Sequence, residues 1–168
     1  KNWSGTEVEL GAGGGGGGAM ALIADQTLSS PTTVININNI PQTFRHLMLL
    51  LEMRSDRAAI NDSLLIRFNG DNLPANNYYR FNYQLSGSPP VINSSNYLNG
   101  AGNALTLNHW SILGASAAAG LRSAIVLHIF DYAPLNTSDI RQRQVTYYGY
   151  TPTGSVTQGG GYWANTTD

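Results

Sequence analysis

Apolar and polar residues alternate along this chain with a period of two. In residues 44–54 the set Leu47, Leu49, Leu51 and Met53 is wholly apolar, and the alternate set is His46, Met48, Leu50 and Glu52. Successive side chains of a strand point to opposite faces, so a run apolar in both sets is expected at the centre of a sheet, covered on both sides. Residues 124–130 read similarly, with Ile125, Leu127 and Ile129 on one face and Ala124, Val126, His128 and Phe130 on the other. This strand too is expected inside a sheet. Short β-branched or aromatic runs also occupy residues 32–37, 64–68, 77–85, 104–113, 123–132 and 142–151, each bounded by turn residues. The pattern predicts an all-β antiparallel sandwich or barrel.

Turn chemistry agrees with that reading. Asn69-Gly70-Asp71-Asn72 follows an apolar run, and asparagine and glycine tolerate positive φ. Residues 86–90 and 99–103 mark further loops. The one helical alternative is the alanine-rich stretch 114–121, enough for a turn or two. Residues 11–18 hold seven glycines and Ala12, a composition that behaves as flexible coil. They divide the chain into an N-terminal arm (1–10), a glycine-rich linker (11–19) and a β-sandwich domain (20–168). Within the arm, Trp3, Val8 and Leu10 are candidate anchor residues, Val8 and Leu10 at the spacing of a strand that adds to another protein's sheet. A frayed tail is the plainer reading of the same residues.

Composition narrows the function. The 168 residues can bury roughly two thirds of the surface exposed by the unfolded chain, enough for a core without staples. Cysteine is absent, which excludes disulfides, thiolate metal sites and a cysteine nucleophile. Charged residues make up 11% and the net charge is −1, so no basic run neutralises phosphates and nucleic acid is not an expected partner. No run approaches the roughly 18 apolar residues of a membrane span, and the first residues lack a signal-peptide pattern. Membrane insertion is not expected.

Candidate chemistry is sparse. Asp25, Asp56, Asp62, Asp71, Asp131, Asp139 and Asp168 fall near predicted strand ends, where aspartate serves turns. Glu52 sits within an apolar strand, either facing solvent or paired with Arg45, Arg54 or Arg67. His46, His109 and His128 are isolated, too few and too scattered for a zinc site. No nucleophile-elbow pattern occurs, and the polyglycine match to a dinucleotide fingerprint lacks its strand and helix. No cofactor, metal or catalytic residue is expected. Three tryptophans and nine tyrosines supply aromatic surface for a core or subunit interface, or for stacking on sugars. Trp110 and Trp163 are the candidate glycan contacts.

The order of motifs from residue 20 onward resembles a family of small jelly-roll-like structural proteins of tailed bacteriophages. The marks are residues 21–30 (Ala-Leu-Ile-Ala-Asp-Gln-Thr-Leu-Ser-Ser), Ile40-Pro-Gln-Thr-Phe44, Leu65-Ile-Arg-Phe-Asn-Gly-Asp71, Asn77-Tyr-Tyr-Arg80, Ile129-Phe-Asp-Tyr-Ala133 and Gly161-Tyr-Trp-Ala-Asn-Thr-Thr167. The resemblance implies a non-enzymatic virion protein of tail, fibre or capsid-decorating type, located on the virion surface. Its expected partners are other virion proteins and further copies of itself, a homo-oligomer with a trimer as the guess. The alternative expectation is a carbohydrate-binding or adhesin domain for host attachment through surface glycans. Family members continue past the Trp and Thr-Thr segment; a chain that stops at Asp168 is expected to leave a sheet edge for a neighbour to cover, and one that runs on is expected to supply the further strands itself.

Overall fold

Strands form where the alternation finds a pairing partner, and in the computed structural model every pairing between them is antiparallel. The structure describes residues 20–70, 78–86, 91–97, 105–133 and 143–163. These contain eight strands and no helix: β1 (Leu47–Met53), β2 (Asn61–Ile66), β3 (Tyr78–Ser86), β4 (Val91–Tyr97), β5 (Leu105–Leu113), β6 (Ser123–Phe130), β7 (Arg143–Thr151) and β8 (Ser155–Trp163). Six make one sheet in the order β1-β6-β7-β8-β3-β4, and β2 and β5 make a second that packs over it. The result is an all-β antiparallel sandwich.

The core lies between the sheets. Ser123, Ile125, Leu127 and Ile129 of β6 are buried, and so are Val145, Tyr147 and Thr151 of β7 and Tyr78 of β3. Leu47, Leu49, Leu51 and Met53 of β1 add to this cluster from one side, and Leu64, Ile66 and Phe68 from the other sheet. Two hydrogen bonds tie the layers together, while Asn61 Oδ1 is buried without a partner among the described residues. The Phe68 amide donates to the Tyr78 hydroxyl at 3.0 Å, and the Leu113 amide donates to Ser123 Oγ at 2.8 Å. Unmet, each such group would cost about 1–3 kcal/mol.

Several expectations require correction. Among the described strands β1 lies at an edge, paired with β6 alone, and its residues are half-buried apart from exposed Glu52. An apolar run reports what its side chains face, not whether both backbone edges are bonded. β6 does lie inside the sheet. Residues 32–37 form no strand: Val34, Ile35 and Ile37 are exposed, and the Thr32 hydroxyl bonds the Val34 carbonyl at 2.9 Å. Such local side-chain bonding competes with a ladder. The chain divides into two units, Lys1–Pro41 and Gln42–Asp168, and every described strand belongs to the second.

Residues 114–121 form turns, not helix. Arg54 takes the carbonyls of Ala115, Ala117 and Ala118 at 2.6–2.8 Å, oxygens that a helix would use internally. The amides of Gly114, Ala115 and Ser116 donate instead to Ile60, Arg57 and Ala59. A side chain at Gly114 would run into the Ala59 carbonyl. The predicted turn at residues 69–70 does have positive φ, 49° at Asn69 and 67° at Gly70.

Two strands have weak sequence signals. β4 is interrupted by Asn and Ser, and β8 contains Gly159, Gly160 and Gly161. Glycine in a strand marks a close approach. A Cβ at Gly159 would stand 2.7 Å from the Tyr147 ring, and one at Gly160 would stand 3.2 Å from that of Phe81. Rings from the flanking strands thus cover β8 on its two faces. β8 runs between β7 and β3, so the open edges of the six-stranded sheet, among the described strands, are β1 and β4.

Two predictions follow from these contacts. Gly159→Ala should overpack against buried Tyr147 and lower stability by about 1–3 kcal/mol, read as a reduced urea midpoint at unchanged slope. Asp62 supplies the second. Burial pushes its carboxyl up, but hydrogen bonds from Ser55, the Ser63 amide and Arg57, with the Arg57 charge, outweigh burial and hold it below the usual 3.8. A depressed folded-state value gives stabilisation that is present above the unfolded value and lost as pH falls through the folded one. Asp62→Asn should therefore be less stable than the parent at neutral pH, with the gap closing below about pH 4 in a pH series of thermal melts.

Candidate functional site

Positions of opposite parity to the core residues form the outer face of the six-stranded sheet. Cross-strand register aligns them in rows. Glu52, Ala124, Tyr150, Val156 and Leu85 lie in one row, and Leu50, Val126, Tyr148, Gln158 and Tyr83 in the next. Met48, His128, Thr146, Gly160 and Phe81 follow, and then Phe130, Gln144, Tyr162 and Tyr79. No described strand covers this face. Tyr83 and Tyr148 are each 52% exposed, Tyr150 47%, Phe81 46%, Leu85 42% and Phe130 36%. A contiguous aromatic field of this kind marks an interaction surface.

The centre of the field is a shallow cavity of about 280 Å³. Phe81 and Tyr83 line it from β3, Tyr148 and Thr146 from β7, Val126 and His128 from β6, and Gln158 from β8. Tyr147 and Gly159 also line it. Aromatic contacts brace the surroundings. Phe81 meets Tyr83 edge-on at 6.4 Å, and Tyr79 stacks on Tyr162 at 4.5 Å. Phe130 stands between His128, stacked at 6.1 Å, and His46, edge-on at 5.7 Å.

Three ion pairs join charged side chains of the described residues. Arg45 bonds Asp131 at 2.9 Å, Arg57 bonds Asp62 at 3.1 Å, and Arg122 approaches exposed Glu52 at 3.7 Å. Glu52 therefore faces solvent, and its partner is Arg122 rather than Arg45, Arg54 or Arg67. His46 accepts a hydrogen bond from the Asp131 amide at 3.3 Å through Nδ1. Among the described residues, no group of three or more His, Cys, Asp or Glu side chains could hold a metal.

Trp163 is not available to a glycan. It is 1% exposed and packs between Phe68 and Tyr78, with ring centroids at 5.6 and 6.4 Å. Its parity on β8 points it into the core, opposite Gln158 and Tyr162. Trp110 falls on β5, and its side chain lies outside the described ones. Trp3, Val8 and Leu10 also lie outside the described residues. Of the sequence's tyrosines, Tyr79, Tyr83, Tyr148, Tyr150 and Tyr162 share the outer face, and the signal for Tyr148 and Tyr150 is the strict alternation of β7 against buried Val145 and Tyr147.

No family model, curated protein or solved structure matches the chain.

The two faces should respond differently to truncation. Trp163→Ala should cost about 3–5 kcal/mol, as large aromatics removed from cores do. Tyr148→Ala should stay within about 0.5 kcal/mol of the parent. Denaturant titration of both variants checks the assignment of faces.

Proposed function

We propose that this chain is a non-enzymatic contact domain: a jelly-roll-like structural protein displayed on the surface of a tailed-phage virion, working by assembly and surface binding. The observation that carries the contact role is the outer sheet face, where six large apolar or aromatic side chains are at least one third exposed on a hydrogen-bonded frame. Burying such rings against a partner stabilises by roughly 25 cal/mol per Å² of apolar area. Rings anchored on strands lose little further freedom when they are covered. The motif order in residues 20–168 supports the virion setting, and the low charge suits a module that packs against neighbours of its own kind.

Antibody raised against the purified chain should decorate intact particles of the phage that encodes it. A Phe81→Asp, Tyr148→Asp variant with an unchanged melt should enter particles, in competition with the parent, at a tenth of the parent's level or less. Particles bare of label would sink the virion setting, and equal incorporation of the variant would sink the contact role of this face.

A further inference from the structure

The chemistry of the outer face narrows what it contacts. We infer that the cavity between β3, β8, β7 and β6 is a binding site for a short neutral oligosaccharide, an inference that rests on reading this face as a contact surface. The first ground is charge. No Asp, Glu, Lys or Arg lines the cavity. On the row of residues that includes Glu52, the carboxylate already has Arg122 beside it. A phosphate, sialate or other ionic ligand would lose its water here and gain no counter-charge.

The second ground is the interleaving of rings with neutral polar groups. Phe81, Tyr83 and Tyr148 are interleaved with Thr146, His128 and Gln158 over two neighbouring rows of the sheet. Among the described residues, no hydrogen bond engages the side chains of Thr146, Gln158, Tyr83 or Tyr148. A pyranose matches this arrangement, because its C–H face is apolar and its rim carries hydroxyls that both donate and accept. A purely aliphatic ligand would leave the polar groups unpaired.

The third ground is size. The four strands β3, β8, β7 and β6 and the four rows across them span about 14 Å by 20 Å. This is about 300 Å² of surface, well short of the roughly 800 Å² per partner that a stable protein interface covers. A second copy of the chain would need much surface beyond the aromatic field. The cavity of about 280 Å³ stands near the lower end of small-ligand sites, about 300 Å³.

The test is titration of the purified chain with cellotriose, chitotriose and galactobiose to about 10 mM, followed by amide chemical shifts, with a sialylated trisaccharide as charged control. At least one neutral sugar should shift amides of β3, β7 and β8. Its binding should weaken at least tenfold in Tyr83→Ala and in Tyr148→Ala, each with a parental melt, and also in Thr146→Val. Three results overturn the inference: no neutral sugar binding, binding indifferent to all three substitutions, or the sialylated sugar binding as well as the neutral ones. Sedimentation revealing a dimer that Tyr148→Ala dissolves would assign the face to a second copy and overturn it as well. If sugars fail while the Phe81→Asp, Tyr148→Asp variant still drops out of particles, the saccharide falls and the contact role stands. If that variant is incorporated normally, both fall.

Discussion

The antiparallel ladder of β6, β7 and β8 is the constraint on which the rest of the molecule depends. Its hydrogen bonds fix a register in which Ile129, Val145 and Gly161 line up, as do Leu127, Tyr147 and Gly159. Parity then decides every side chain's fate. Tyr147 and Tyr148 are chemically identical neighbours, yet one is 4% exposed within the core and the other is 52% exposed on the outer face. A slip of one residue would exchange them and turn the aromatic field inward.

The same constraint explains the glycines of β8. Tyr147 on one side and Phe81 on the other are large rings that need room above the backbone, and Gly159 and Gly160 supply it. Core and outer face are therefore not independent. Gly159 faces the core beneath the cavity, and there the Tyr147 ring takes the space a side chain would fill. Binding surface and fold share residues, and changes at the glycines act on both.

Much of the sandwich was legible in the chain. The alternation of Ile125, Leu127 and Ile129 gave the buried face of β6, and the Asn69-Gly70 pair marked a positive-φ turn. Pairing was not legible. Leu47 to Met53 reads as a central strand because both its faces are apolar, but it ends at an edge, since nothing in side-chain pattern records which backbone edges are bonded. Residues 32–37 carry strand-forming types and make no strand, while β8 forms despite its glycines because β7 and β3 flank it. The candidate site was half legible. Tyrosine abundance left core, subunit interface and sugar stacking open, and separating exposed Tyr148 from buried Trp163 requires the register that sets parity, which only long-range pairing supplies.

The order of the strands also bears on how the chain is made. Leu47 pairs with Ile129, and Tyr78 pairs with Trp163, so the outer members of the sheet wait for partners translated much later. During synthesis from the N-terminus the β3–β4 hairpin has no flanking strand until β8 emerges, and the greasy β1 has none until β6 does. Folding is therefore expected to be slow, as it is for topologies dominated by distant pairings. A cell producing many copies at once would keep a population of nascent chains whose unpaired strands are most in need of chaperones.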